Sequence, residues 1–506
     1  MSKYILAHDL GTSGNKAVLY DIDGILVNSL TLNYSVIYSN NNWAEQSPDE
    51  WWKAVCLSSQ ALLRNINPKD ILAISFSGQM MGCVCVDKHG NSLRNSIIWS
   101  DLRALKEESI IRQNISEKDF YHITGHRISP SYGGQKFMWV KNNEPEIYDK
   151  TYKILNAKDY IILKLTGKFV TEYTDASSTC LLDLNTLSWS NRLIDIMGID
   201  GDKLPQLHKS TDIAGYVTEE AYKLSNIPKG TPVIFGGGDG VCSAVGTGCI
   251  KEGIAHSSMG TSSWISITSK SPIYDEEMKT FNWVHIVPGF VLPTGTMQCG
   301  GGAYSWIVDV LFKNEKNILK NNYINLYNVL EEEMRTSSPG SNGIIFLPYL
   351  MGERSPRWNP NAKGSFIGIK MENSRADIIR SVLEGVAMNL SIILDTFRKQ
   401  NNFINEIVVI GGGAKSNIWL SIMSDIYGID ILKPNYLEEA CSMGAAITAG
   451  VGIGVYKNFD VINKYLEIIK IYKPSGKNKE LYSKLRNIFN ESYEYLSKIF
   501  YDLSFL

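Results

Sequence analysis

The sequence predicts an α/β protein built from two domains, and three observations carry that prediction. The chain has 506 residues, more than one core fills, since cores stop growing near about 250–300 residues. Short β-favouring apolar runs, such as Pro232 to Phe235 and Ile407 to Ile410, alternate with longer helical patterns, such as Ile378 to Leu390. A Gly-Thr-Ser turn occurs at Gly11-Thr12-Ser13 and again at Gly260-Thr261-Ser262, each time before a β-type run. Two such turns half a chain apart suggest two related halves that hold one phosphate chain between them.

Composition narrows the function classes. Charged residues make up 20% and the net charge is −2, which gives no reason to expect nucleic acid or an acidic membrane as partner. The eight cysteines show no C-x-x-C spacing, and they read as reduced core thiols of a cytoplasmic protein. The N-terminus is apolar for only four residues, too short for a signal peptide. No apolar run approaches the ~18 residues of a membrane span.

The first half opens on a strand, Tyr4 to Ala7, a tight turn from Asp9 to Lys16, and a returning strand, Ala17 to Tyr20. A P-loop or a dinucleotide-binding glycine loop would open a helix here; this turn opens a β-hairpin. Its backbone amides, with Thr12 and Ser13, can still wrap a phosphate. Asp9 could hold Mg²⁺ through water, as hard cations prefer oxygen. Ser47-Pro48-Asp49-Glu50 reads as a helix start with a capping box, followed by Trp51, Trp52 and Val55 facing inward. Ile71 to Phe76 reads as a strand that ends at Gly78, where polar Gln79 suits a pocket lip. Met80 and Met81 beside it equally suit core filling. Asp101 and Arg103 read as a structural pair. Lys136 to Lys141 reads as an amphipathic helix.

The stretch Thr231 to Gly240 is the centre of the reading. A short buried strand runs into three glycines and then Asp239, at the mouth of a helix from Val241 to Val245. A carboxylate there can accept a proton from a hydroxyl, or simply cap the helix. In the second half, Gly300 to Gly302 precede an apolar helix, Ser374 caps a long one, and Gly411 to Gly413 end a buried strand where a flat base or ribose could approach the backbone. Gly444 sits in a small-residue helix suited to close packing. Leu481, Leu485, Ile488, Phe489, Leu496 and Phe500 form a packing stripe on the last helix.

Together these pieces resemble the FGGY carbohydrate kinases, and within them the bacterial xylulokinases. The resemblance runs nearly end to end. It rests on Asp9-Leu-Gly-Thr-Ser13, Glu45-Gln-Ser-Pro-Asp-Glu-Trp-Trp52, Gly78-Gln79-Met80, Ile98-Trp-Ser-Asp101, Gly236-Gly-Gly-Asp239, Gly260-Thr261-Ser262, Phe346-Leu-Pro-Tyr-Leu-Met-Gly-Glu-Arg354 and Gly411-Gly-Gly-Ala-Lys-Ser416, with Gly364 to Glu384 as the C-terminal signature. It implies two ribonuclease-H-like domains of the actin/hexokinase type around a cleft, residues 1–246 binding sugar and 247–506 binding ATP. It implies Asp239 as catalytic base and Asp9 as the Mg²⁺-associated carboxylate. Thr12, Ser13 and Lys16 correspond to the first phosphate loop, Gly260 and Thr261 to the second, and Gly301, Gly413 and Asn417 to nucleotide contacts. Gln79, Met80, Met81, Asp239 and Gly240 fall at the sugar pocket. A homodimer is compatible with the resemblance.

The departures gather at that pocket. Met81 stands where the xylulokinases usually have His, Gly240 where they usually have Asn, and Gly133 where Ser, Thr or Pro is usual. Glycerol kinases place an Arg-Glu pair at Met80 and Met81, which argues against glycerol. Lost hydrogen-bonding partners change selectivity by orders of magnitude. Through overall similarity D-xylulose is the first expectation; the departures make another ketose, a polyol or an aldonic acid the alternative. A non-catalytic sugar or nucleotide sensor, or an actin-like filament or chaperone protein, would use the same fold. Asp9, Asp239 and both turns argue against the sensor, and the Gly364 to Glu384 signature with Glu45 to Trp52 argues against the filament or chaperone.

Overall fold

The computed structural model describes residues 3–40, 42–321, 325–400 and 403–505. Two large sheets organise them. The first contains β1 (Tyr4–Leu10), β2 (Gly14–Asp21), β3 (Leu26–Asn33), β4 (Ile71–Gly78), β5 (Ile213–Tyr216) and β6 (Pro232–Gly238), in the spatial order β5-β6-β4-β1-β2-β3. The second contains β7 (Ala255–Met259), β8 (Ser263–Ile267), β9 (Phe281–Val284), β10 (Val291–Met297), β11 (Glu406–Ile410), β12 (Asp430–Pro434) and β13 (Ile468–Tyr472), in the order β9-β10-β8-β7-β11-β12-β13. In both, an antiparallel meander is built on a Gly-Thr-Ser turn, a parallel strand joins its first strand, a second parallel strand joins that one, and an antiparallel strand closes that side. The repeated turn in the sequence thus marks a repeated sheet.

Burial on both faces explains the near-continuous apolar strands. On β1, Leu6 and Leu10 face α1 (Pro48–Leu63), with Trp51, Val55 and Leu62 in the same cluster. Ile5 and Ala7 point the other way, because successive strand side chains alternate. They meet Met443, Ala446 and Ile447 of a helix from the far end of the sequence. The helices that matter to the site are α2 (Gly133–Asn143), α3 (Ala157–Thr166), α4 (Asp239–Gly246), α5 (Gly301–Leu311), α6 (Arg375–Lys399), α7 (Asn417–Tyr427), α8 (Ala440–Gly452) and α9 (Lys479–Leu503). It is α8 that lies on the first sheet.

Several local expectations hold. Ser374 caps α6 in a capping box with Asp377. Asp101 and Arg103 pair at 2.7 Å with both side chains fully buried. All eight cysteines are free thiols. Among the described residues, no helix is long and apolar enough to cross a membrane.

Others are corrected. Ser47 is the N-cap of α1, but its side chain makes no capping bond; the Glu50 N–H goes to the Ser47 carbonyl instead, at 3.2 Å. The helix α2 is buried on every side from Gly133 to Val140 rather than amphipathic. Lys136 is tolerated inside because its ammonium donates to the carbonyls of Met81, Ile98 and Ser131. On α9 the inner stripe is Tyr482, Leu485, Phe489, Tyr493 and Phe500, while Leu481 and Ile488 are exposed. The tyrosines complete the stripe, because a ring can bury its body while its hydroxyl bonds a partner; Tyr482 reaches Glu384 at 2.7 Å.

Candidate active site

The strand β6 is forced out of its ladder by its own glycines. Gly236 has φ 72°, and a Cβ there would lie 1.8 Å from the Phe76 carbonyl oxygen. The register against β4 shifts between Ile234 and Gly237, a bulge that re-aims the residues beyond it. Asp239 is the residue so aimed. It is the first residue of α4; the N-cap is Gly238, so Asp239 does not cap the helix. Its carboxylate accepts the Gly240 N–H at 2.7 Å.

Because β6, β4 and β1 run parallel, their carboxyl ends bring Asp239, Ser77 to Met80 and Asp9 into one row. Ser77 donates to Asp9 at 2.8 Å. Lys16 pairs with Asp9 across the hairpin, and its ammonium reaches Glu439 at 2.6 Å. Burial pushes the Asp9 carboxyl above its ordinary value, opposed by Ser77 and Lys16. Burial, and then the charge of Asp9, push Asp239 up to about 7. Two buried carboxylates, one raised by the charge of the other, are a natural seat for a hard cation. Mg²⁺ suits such a seat because it keeps several waters and needs few protein ligands. Among the described residues, no group of three or more His, Cys, Asp or Glu is placed to hold a metal ion.

A cavity of about 150 Å³ opens beside Asp239. The first half of the chain contributes Thr12, Met80, Met81, Trp99, Asp239 and Gly240. Thr12 is held by the indole N–H of Trp99, at 2.8 Å. Met81 adopts φ 61°, fixed by Lys136 at its carbonyl and Ser178 at its amide. A Cβ on Gly240 would meet nothing within 4 Å, so the missing side chain leaves open room. Gln79 does not line this cavity. It is buried, and its amide donates to Gln46 at 2.8 Å. Ser13 is exposed at the hairpin tip.

The other wall comes from the second half, and sequence reading missed it. Trp264 and Ser266 on β8, Phe281 and Trp283 on β9, Thr294 and Thr296 on β10, and Arg354 face the same space. The signal was present: each strand pair is spaced by two, which puts both side chains on one face. Gly133, the other departure, has its reason in packing, since a Cβ there would lie 2.8 Å from the Gly82 carbonyl oxygen.

A larger cavity of about 420 Å³ lies in the second domain, between β7, α5 and α7. Gly260, Thr261, Gly301 and Gly413 line it, as the sequence reading expects, together with Lys415 and Ser416. The glycines are sterically required: a Cβ at Gly301 would lie 2.5 Å from the Gly260 carbonyl oxygen, and one at Gly413 would lie 2.8 Å from Met259. Asn417 is not among the lining residues; its side chain is taken by the Tyr472 hydroxyl and its amide by Glu331. Tyr304, Tyr327 and Trp419 supply the flat apolar walls that a purine would need. The second Gly-Thr-Ser turn joins the two spaces, for Thr261 lines the larger and Ser262 the smaller.

This geometry has close relatives. The chain is 32% identical to a xylulose kinase of Staphylococcus epidermidis over 508 residues, covering 99% of each. It is 31% identical to a gluconokinase of Bacillus licheniformis over 490 residues, covering 97% of this chain and 95% of the other. The crystal structure of ligand-bound xylulose kinase from Lactobacillus acidophilus superposes with a TM-score of 0.91 at 29% identity, covering 99% of this chain and 100% of that one. The fold is that of a two-domain sugar kinase of the actin/hexokinase type. The model of the N-terminal domain of the FGGY family of carbohydrate kinases matches residues 4–246 and that of the C-terminal domain residues 255–453; the chain therefore belongs to that family.

Proposed function

We propose that this carbohydrate kinase transfers the γ-phosphoryl group of ATP to a primary hydroxyl of D-xylulose, giving D-xylulose 5-phosphate. One observation carries the reading: the second Gly-Thr-Ser turn lies between a nucleotide-sized cavity and a small polar-aromatic one that holds Asp239.

The halves 1–246 and 247–506 take sugar and nucleotide respectively, and the second half also closes over the sugar. Asp239, poised near neutral, takes the proton of the attacking hydroxyl. The new bond forms between that oxygen and the γ-phosphorus as the bond to the β-phosphate oxygen breaks. The turns at Thr12 and Thr261 hold the phosphates through backbone N–H groups and hydroxyls. Gly301 and Gly413 let the nucleotide approach the backbone. Asp9 is the residue to hold Mg²⁺ through water, and Mg²⁺ when bound neutralises charge on the phosphate oxygens. Positioning and exclusion of water do the remaining work. Met80, Met81 and Gly240 shape the sugar end, with Gln79 supporting them from behind. Asn417 and Ser13 stand at the margins, and Lys16 acts through the charge of Asp9.

An aldonic acid is the second reading. Arg354 is the one cation lining the small cavity, and among the described residues it has no carboxylate at ion-pair distance. The likeness to a gluconokinase points the same way. A coupled ADP-release screen across pentuloses, hexuloses, polyols and aldonic acids decides. Highest kcat/KM on D-xylulose supports the first reading and on an aldonate the second. Absence of sugar-dependent ADP release removes both and leaves a sensor.

A further inference from the structure

Around the bulge that aims Asp239, two backbone donors find their acceptors outside the sheet. Gly236 falls outside the register with β4, while Gly237 and Gly238 rejoin it opposite Ser77 and Gly78; buried N–H groups still need acceptors. Gly236 N–H goes to the Ser210 carbonyl at 3.1 Å. Gly238 N–H goes to a side chain, the hydroxyl oxygen of Thr174, at 2.9 Å. That hydroxyl, having accepted, has its proton free to donate, and it donates to Glu172 at 2.6 Å. A carboxylate is acceptor only, so the direction of the relay is fixed from Gly238 N–H through Thr174 to Glu172.

Glu172 is itself over-determined. It accepts the amides of Thr174 and Asp175 and the Ser210 hydroxyl, at 2.7, 3.0 and 2.8 Å. Lys158 pairs with it at 3.1 Å, and both side chains are fully buried. The anchor is therefore rigid, and its one connection to the residue before Asp239 runs through the Thr174 hydroxyl. Ser210 adds a second hold on the same bulge, two residues earlier.

We propose that Thr174 is a positioning residue for phosphoryl transfer, its hydroxyl locking Gly238 to the buried Glu172 anchor and so fixing where the Asp239 carboxylate stands. Thr174 lines neither cavity, so it touches neither sugar nor nucleotide and acts through the backbone. The inference rests on Asp239 being the base.

The test is a set of three variants in the full chain, assayed by sugar-dependent ADP release and by thermal unfolding. Thr174→Val keeps the shape and removes the hydroxyl. Its expected effect is a fall in kcat of about 10- to 100-fold, the range of a misplaced reacting group, with KM for sugar and ATP moving less than about threefold. Thr174→Ser, which keeps the hydroxyl, should restore kcat to within about threefold of the parent. Thr174→Ala is the check if valine does not fit. Parental kcat in Thr174→Val overturns the proposal, as does a loss that Thr174→Ser shares in full, or one seen mainly in KM. Loss of the folded state in both Val and Ala variants assigns Thr174 to stability and also overturns it. Asp239→Asn separates the two levels. If that enzyme stays near normal, the base assignment itself fails. If it is dead while Thr174→Val is normal, the base assignment stands and the positioning role falls.

Discussion

Gly444 of α8 rests against the carbonyl oxygen of Cys242 in α4, so closely that a Cβ on Gly444 would lie 2.0 Å from it. The contact is reciprocal, for a Cβ on Gly246 would lie 2.0 Å from the Ala440 carbonyl oxygen. These glycines let two helices cross backbone to backbone, and α4 carries Asp239 as its first residue. The Cys441 thiol also donates to the Asp239 carbonyl, at 3.6 Å.

Gly444→Ala should therefore act on both stability and turnover. Overpacking of this kind costs about 1–3 kcal/mol, read as a lowered unfolding midpoint. The displaced α4 should lower kcat more than it raises either KM. A variant with the parental midpoint and kcat would show that the crossing has slack.

Asp239→Asn should reduce kcat severely while ATP still binds, which a nucleotide titration checks. The parent's kcat/KM should rise with pH through a midpoint near 7, the value to which burial and Asp9 push this carboxyl. A carboxyl raised in the folded state contributes stability that is fully present below its unfolded value of about 4. That contribution is lost as pH rises through 7. The asparagine variant has no such loss, so its unfolding midpoint should overtake the parent's between pH 4 and 7 and keep its lead above. Parallel midpoints across that window would place the raised proton affinity elsewhere.

Gly240→Asn should fold as well as the parent, because its Cβ would meet no neighbour and Gly within a helix is about 0.5–1 kcal/mol worse than Ala. The added amide would enter the small cavity, so the ratio of kcat/KM between D-xylulose and an aldonate should move at least several-fold. KM for ATP should not move. Unchanged sugar selectivity would take Gly240 out of the substrate's reach.

Lys136→Met removes an ammonium that ties Met81, Ile98 and Ser131 together. Burial already lowers this lysine to about 7, partly offset by Asp101. Three carbonyls would lose their donor, and buried groups left unpaired cost about 1–3 kcal/mol each. The expected result is a clearly lowered unfolding midpoint and a raised sugar KM, since Met81 lines the cavity. Retention of both would mean that water replaces the ammonium.

The features legible in advance were those written in consecutive residues. The strand ending in Gly236 to Gly238, the adjoining Asp239, and both Gly-Thr-Ser turns are local chemistry. Only glycine takes φ 72° against a carbonyl, and only a small polar turn fits that hairpin. Gln79 and Asn417 show where this stops. Each lies in a site motif, yet Gln79 turns to Gln46, 33 residues away, and Asn417 to Tyr472, 55 residues away. The aromatic wall of Trp264, Phe281 and Trp283 escaped notice for the same reason, since nothing near those residues says what they face.

By itself, the chain's order of residues determined the two repeated sheets, the glycine-lined strand ends and the acidic group beyond one of them, because backbone freedom and apolar alternation are settled within a few residues. Tertiary structure alone decided which side chains enter the two cavities, that Lys136 is buried, and that a helix from residues 440–452 completes the core of the first sheet. Those outcomes depend on surfaces hundreds of residues apart meeting at van der Waals distance, and no local stretch encodes the meeting.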